Sequence, residues 1–354
     1  DSGDTFRSRI YNSCGCEDTA CVVIRPIEPC PPVNRHDCGS LLLYPEFDNR
    51  TGAKTLITVT DACCGGTGQN TRIEVIFINK SNCLETNRTY VLSPCDTLTF
   101  LTSAVGSANT QGYVYLYAKN STATPGNPLG TPIVFNQLIG METIINGIAS
   151  FQYSLNAVSF RGLGDPFAPN DDDGDGIRDL NGPNAALPEY ERAPDQILIP
   201  RFLGQDLPGG NYASEMVLVN LSGGRQFTTV LDITGYNDNE VPFSGQYQFY
   251  CWDKIPLTTL SAMTLNTALQ YQSDPREIFG LSERESGWMI LNGNVAYSSA
   301  ESILDPAIYA VLIERANGSV AADLPFELCA QENGALLPTG LFGNGPDAQN
   351  GDNQ

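Results

Sequence analysis

Short runs of alternating residues, broken at close intervals by Gly, Pro, Asn and Asp, leave this chain few ways to fold. Helical periodicity is nearly absent. In "TLITVT" (55–60) Leu56, Thr58 and Thr60 share one face, while Ile57 and Val59 share the other. In "TRIEVIFI" (71–78) Ile73, Val75 and Phe77 alternate with Arg72, Glu74, Ile76 and Ile78. "YVYLY" (113–117), "FTTVLDI" (227–233), "YQFYCW" (247–252), "WMIL" (288–291) and "AIYAVLI" (307–313) are equally rich in β-branched or aromatic residues. Such side chains fit a pleated, half-buried surface, and many short strands between turn residues predict an all-β chain of antiparallel sandwiches. Helix is expected at only two places, around 136–148 and 260–272.

At 354 residues the chain exceeds one comfortable core, so two domains of about 150 residues are expected. An internal echo says how they relate. "LLYPEFDNRTGAKTLITVT" (42–60) resembles "LIPRFLGQDLPGGNYASEMVLVN" (198–220), with Pro45 and Phe47 answering Pro200 and Phe202 at an offset of 155. "VIFINKSN" (75–82) answers "VLDITGYN" (230–237), Cys95 answers Cys251, and "GYVYLYA" (112–118) answers "GWMILNG" (287–293). The order never changes. The predicted organisation is a Cys- and Pro-rich arm at 1–39, a sandwich at 40–160, a linker at 161–194, a related sandwich at 195–330 and a polar tail at 331–354.

The balance of charge excludes some partners. Charged residues make up only 17% of the chain, so Asn, Ser, Thr, Gln and Gly must supply most of the polar surface. Among the charges, 40 acidic residues face 19 basic ones, a formal net charge of −21. That field repels nucleic acid and anionic membranes and attracts cations. No run reaches the roughly 18 apolar residues of a membrane span. The first residue, Asp1, is not Met, which predicts a processed chain.

Eleven cysteines narrow the compartment. Nine fall in the first 95 residues: Cys14, Cys16, Cys21, Cys30, Cys38, Cys63, Cys64, Cys83 and Cys95. Zinc sites are usually built from C-x-x-C pairs, often with His. Here the spacings are C-x-C, C-x4-C and C-C, and the single His is His36. Disulfides, and with them an extracellular or cell-surface location, are expected. Cys251 and Cys329 are the two cysteines of the second sandwich, and are expected to pair. Cys83 and Cys95 flank "LETNRTYVLSP" and are expected to close a hairpin. The odd total leaves one thiol free or bonded to another molecule, and the connectivity of the arm with Cys63 and Cys64 stays open. Sequons at Asn49, Asn79, Asn87, Asn120, Asn220 and Asn317 are compatible with secretion.

One stretch of the linker has no apolar face at all: "NDDDGDGIRDLNG" (170–182). Its register, Asp171, Asp173, Asp175, Gly176, Ile177 and Asp179, matches D-x-D-x-D-G-x-x-D. Alternate carboxylates on a tightly curled chain converge on one hard cation, Gly176 permits the turn, Ile177 offers a carbonyl and Asp179 a direct or water-mediated ligand. The stretch resembles the calcium loops of thrombospondin type 3 repeats, dockerins and EF-hands. The resemblance implies a calcium ligand set of Asp171, Asp173, Asp175, Ile177 and Asp179. It departs from the EF-hand at the twelfth position, where Gly182 replaces the bidentate Glu. Pro166, Pro169, Pro183 and Pro188 also leave no room for flanking helices, so a structural site is expected, not a switch.

Catalytic signatures are missing. There is no G-x-S-x-G elbow, H-E-x-x-H helix, P-loop or dinucleotide fingerprint, and any His-based nucleophile would need His36, next to a Cys38 expected in a disulfide. Both tryptophans, Trp252 and Trp288, lie in strand-like runs and read as core rather than as sugar-stacking platforms. The leading expectation is a non-enzymatic, secreted structural protein: a homopolymer subunit of a filament or surface layer, stabilised by disulfides and calcium, joined through terminal arms. The alternative is an adhesin or glycan-binding module, and the third a secreted carbohydrate-active enzyme.

Overall fold

Alternation in sequence becomes alternation in burial. Along β4 (Ala53–Asp61) every odd-numbered residue is buried and every even-numbered one is half-buried or exposed, as a strand with one covered face requires. This computed structural model describes residues 6–11, 17–22, 35, 37–62, 70–106, 108–171, 174–183, 185–194, 196–204, 212–222, 228–237, 240–261, 264, 286–295, 306–316, 319–323, 325–327, 331–332 and 334–336. Residues 1–33 and 34–354 are two units. In the first, β1 (Phe6–Tyr11) and β2 (Glu17–Val22) pair antiparallel with Phe6 opposite Val22, so the arm holds a hairpin that its irregular sequence did not announce.

The second unit is all-β, with two antiparallel sandwiches. Its first contains β3 (Leu41–Asp48), β4, β5 (Thr71–Asn79), β6 (Glu85–Leu92), β7 (Thr97–Leu101), the helical turn α1 (Thr102–Val105), β8 (Gln111–Lys119), β9 (Leu138–Asn146), β10 (Phe151–Asn156) and β11 (Val158–Phe160). The strands form a five-stranded sheet, β11-β3-β8-β5-β6, and a four-stranded sheet, β10-β9-β4-β7. Two short linker strands follow, β12 (Arg178–Leu180) and β13 (Ala193–Pro194). The second sandwich then runs through β14 (Gln196–Leu203), β15 (Tyr212–Asn220), β16 (Thr229–Asn237), β17 (Pro242–Phe249), β18 (Trp252–Pro256), the turn α2 (Leu257–Leu260), β19 (Ser286–Val295), β20 (Ile308–Ala316), β21 (Ser319–Asp323) and β22 (Phe326–Glu327). Its sheets are β22-β14-β19-β16-β17 and β21-β20-β15-β18. Matching β3 to β14, and each later strand to its counterpart, gives the same two sheet orders, with α1 and α2 at the same step.

The echo in sequence marks matched irregularities. Register shifts between Tyr44 and Phe47 in β3, and between Ile199 and Phe202 in β14. Pro45 and Pro200 sit at these bulges, where the missing N–H costs no ladder bond. Beyond each bulge the phenylalanine lies opposite a glycine, Phe47 across from Gly112 and Phe202 across from Gly287. A side chain at Gly112 would overlap the carbonyl oxygen of Ile78, and one at Gly287 that of Tyr236. The two glycines are therefore required by one shared geometry.

The four sheets stack. Leu42, Tyr44, Ile57, Val59, Val75 and Leu116 belong to the core of the first sandwich. The other face of its five-stranded sheet, with Leu41, Leu43, Ile76, Tyr113 and Tyr115, joins a cluster continuous with Val217, Val219, Tyr309 and Val311 of the second sandwich. Burial of each such side chain is worth about 1.5–3 kcal/mol. Polar and covalent links reinforce the seam. Trp252 Nε1 donates to Pro45 O at 2.7 Å, Lys254 Nζ donates to Glu46 Oε1 at 2.8 Å, and Cys83 is disulfide-bonded to Cys251. The joint between sandwiches is thus a packed sheet face.

Three further expectations meet the fold with different outcomes. Residues 136–148 form β9 and its turns rather than a helix. Of the stretch 260–272, the described residues are the end of α2 at Leu260, Ser261 and Thr264; 262–263 and 265–272, where a helix was expected, lie outside the described residues. The tail is not wholly apart from the fold: β23 (Gln331–Glu332) pairs with β13, and β24 (Gly334–Leu336) with β12. Residues 337–354 lie outside the described residues.

Candidate functional site

Register carries each outward position of the first five-stranded sheet to a partner in the second, and the two faces differ. Leu41, Leu43, Ile76, Ile78, Tyr113 and Tyr115 lie under the second sandwich and are at most 4% exposed. Their counterparts are Gln196, Leu198, Thr234, Tyr236, Trp288 and Ile290, all half-buried or exposed. Likewise Tyr117 and Glu74 give way to Asn292 and Asp232. Where the face is covered the sequence is mostly apolar, with Glu74 buried beside Lys119; where it is open, amide and hydroxyl groups replace most of the apolar ones around an aromatic pair, and Asp232 keeps a carboxylate at the position of Glu74.

That pair is built by the ladder. Tyr236 on β16 lies directly opposite Trp288 on β19, and their rings stack with centroids 5.1 Å apart and planes 27° apart. Each residue is 37% exposed, so the stack offers aromatic surface to solvent. Two rows along the same strands, Asp232 lies opposite Asn292 and Gln246. Gln246 Nε2 donates to Asp232 Oδ1 at 2.5 Å, and Asn294 Nδ2 donates to Asp232 Oδ2 at 3.2 Å. Two amides thus orient the carboxylate, and each of its oxygens keeps a second acceptor direction. Thr234 and Ile290 fill the row between.

Chemically, such a face suits a ligand with an apolar C–H face and hydroxyl edges. The negative π-face of an aromatic ring attracts weakly positive C–H groups, while oriented amides and a carboxylate exchange hydrogen bonds with hydroxyls. A pyranose ring carries both features. The sequence had singled out Trp288 but assigned it to the core, and it missed Asp232, Tyr236, Gln246, Asn292 and Asn294. The signal was present in "GWMILNGN": Trp288, Ile290, Asn292 and Asn294 alternate with inward-facing Met289 and Leu291. Trp252, in contrast, is a core residue at the joint, 2% exposed.

The Asp-rich loop has glycines in left-handed conformation, and its Asp171 carboxylate has a charge partner within the chain. Gly174 and Gly176 have φ of 72° and 82°, in the left-handed region that favours glycine, and Ile177 N donates to Asp175 Oδ1 at 2.7 Å. Asp171 Oδ2, however, accepts from Arg178 Nη2 at 3.1 Å, and the Arg178 side chain is 3% exposed. Asp179 enters through its backbone, its N–H donating to Glu189 Oε2 at 3.0 Å and its carbonyl accepting from Tyr190 N. Burial, helped by the Asp179 and Asp171 carboxylates, pushes Glu189 up to about 7. Among the described residues no three His, Cys, Asp or Glu side chains come together as a metal site; Asp173 lies outside them. The described part of the loop is organised on a buried guanidinium.

Cysteine pairing also differs from expectation. Cys83 bonds to Cys251 across the joint, which overturns both the Cys83–Cys95 hairpin and the Cys251–Cys329 pair. Cys95 is disulfide-bonded elsewhere. Cys38, expected in a disulfide, is a free thiol. Cys21 lies in β2, while Cys14, Cys16, Cys30, Cys63, Cys64, Cys329 and His36 lie outside the described residues.

At the seam, Glu46 Oε2 accepts from Tyr153 Oη at 2.5 Å and from Lys254 Nζ at 3.1 Å. Glu142 Oε2 accepts from Glu46 N at 3.3 Å, and Glu142 Oε1 is buried with no hydrogen-bond partner. Burial, then the Glu46 carboxylate, hold the Glu142 carboxyl well above the usual range. Glu142 is fully buried, and Glu46, 1% exposed, borders a cavity with Lys254 and Arg315, so this carboxyl pair belongs to the joint.

No family model matches the chain, and no curated protein matches it. Among solved structures, the tandem CBM22-1–CBM22-2 domains of Paenibacillus barcinonensis Xyn10C align over 78% of this chain and 79% of that one, at 10% identity and a TM-score of 0.16. The Pleurotus ostreatus lectin aligns over 86% of each chain at 11% identity and a TM-score of 0.12. A T13 viral particle of IBDV aligns over 95% of this chain and 75% of its own at 11% identity, also with a TM-score of 0.12. Similarity this low identifies neither a shared fold family nor a ligand.

Proposed function

We propose that this chain is a glycan-binding or adhesin module whose ligand rests on the open face of the second five-stranded sheet. The carrying observation is the solvent-facing Trp288–Tyr236 stack on the same strands as an Asp232 carboxylate oriented by Gln246 and Asn294. The role is binding without chemistry. The buried Cys83–Cys251 bond supports an oxidising, extracytoplasmic setting. The filament reading draws no such support. It rests on terminal arms whose residues lie mostly outside the described ones, and β23 and β24 pair with the chain's own linker.

The test is a glycan array, followed by affinity electrophoresis of the hits with wild type and Trp288→Ala. Loss of one aromatic platform is expected to weaken binding about tenfold or more, or about 1.4 kcal/mol. An array without hits, or equal binding by the variant, would refute the assignment.

A further inference from the structure

Resting on the carbohydrate-binding reading, we infer that the face takes a neutral polysaccharide chain laid along β16 and β19, with one sugar over Trp288–Tyr236 and a later one at Asp232–Asn292. Charge selects the class. The outward positions are Gln196 and Leu198 on β14, and Asp232, Thr234 and Tyr236 on β16. On β17 they are Pro242, Ser244 and Gln246, and on β19 Trp288, Ile290, Asn292 and Asn294. None of these is Lys or Arg and Asp232 is the one carboxylate among them, while the exposed Arg201 at the β14 bulge already has a countercharge in Glu314. Uronic, sialic or sulfated sugars would meet a fixed carboxylate with no countercharge, in the field of a chain of formal net charge −21. Neutral hydroxyls have both donors and acceptors to meet.

Spacing selects the length. Tyr236 and Asp232 are four residues apart on one strand, about 13 Å at a strand's rise per residue. That exceeds one pyranose ring, so a monosaccharide can engage the stack or the amide–carboxylate cluster but not both. The row between them suits a passing chain: Thr234 contributes a hydroxyl and Ile290 an apolar step, opposite each other on adjacent strands. Leu198 and the 63%-exposed Phe326 extend that row toward the sheet edge.

Isothermal titration and affinity electrophoresis of the full chain decide this, using neutral glucans, xylan and galactomannan against polygalacturonate, alginate and heparin. A ladder of neutral oligosaccharides from one to six sugars completes the panel. A neutral polysaccharide is expected to bind, with affinity rising about tenfold or more from the monosaccharide to the longer oligomers. Trp288→Ala and Asp232→Ala are each expected to lower that affinity, while circular dichroism shows both variants folded. Binding confined to acidic polysaccharides and lost in Trp288→Ala would overturn the neutral class yet keep the face as a carbohydrate site. Equal affinity for one sugar and six would overturn the extended chain. Failure of every carbohydrate to bind, or binding indifferent to Trp288, would overturn the underlying reading. Asp232→Asn guards against misfolding of the alanine variant: it keeps the side-chain shape, and it is expected to bind acidic polysaccharides better than wild type does.

Discussion

Replacing Cys83 and Cys251 by alanine cuts the one covalent link seen between the described parts of the two sandwiches. The half-cystines are 168 residues apart in sequence. On the chain-entropy relation, a loop of that length restricts the unfolded ensemble by about 5 kcal/mol, and measured losses for native disulfides run about 2–5 kcal/mol. Nothing else at the seam changes: Trp252 still donates to Pro45 O and Lys254 still pairs with Glu46. The double variant should therefore fold as before and unfold more easily. Trp252 reports on the joint directly, because it is 2% exposed there. Urea titration followed by tryptophan fluorescence, with Trp288→Phe as background, should show one coincident transition shifted to lower urea by about 3–5 kcal/mol of stability. A loss below about 1 kcal/mol would refute the reasoning, and so would peptide mapping that recovers Cys83 bonded to Cys95.

Two other outcomes are expected. Glu142 has a raised folded-state pKa, from burial first and Glu46 second. The folded state therefore holds its proton more tightly than the unfolded state, and stability should fall as pH rises from the ordinary value of 4.5 toward the folded one. Glu142→Gln should flatten that part of the profile, and an unchanged slope in thermal melts at stepped pH would count against it. Arg178→Ala strips Asp171 of its buried partner and should cost about 3–5 kcal/mol. Calcium that restores part of the loss, with EGTA reversing the rescue, is the result expected if the loop's carboxylates take a cation as their spacing suggests. No response to calcium in wild type or variant would end that reading.

Strands and their repetition could be read because each depends on neighbours in sequence. "TLITVT" and "GWMILNGN" alternate, and the echo of Pro45–Phe47 in Pro200–Phe202 pairs positions that prove to be equivalent bulges. Segment 136–148 misled because apolar residues sit on both faces of β9: Leu138 and Ile144 are buried, yet Ile139 and Met141 are about 40% exposed, which erases the two-residue signature. Cystine pairing and the candidate face failed for a different cause. Cys83 and Cys95 are close along the chain, but Cys83 meets Cys251 only once the sandwiches stack. Likewise, nothing local to Trp288 says which five-stranded face will be covered. That is fixed by the other sandwich.

The stacked joint also sets a schedule for synthesis. When residues through Phe160 have emerged, the first sandwich has every strand it needs, but Leu41, Leu43, Ile76 and Tyr115 still face water, awaiting a cover made from β15, β18 and β20. Cys83 waits as well, its partner 168 residues downstream, a delay of about 8–34 s at ordinary elongation rates. Throughout that interval the nascent chain displays a sticky sheet and a reactive thiol close to Cys95. A cell making this protein must shield the one and keep the other from pairing too soon.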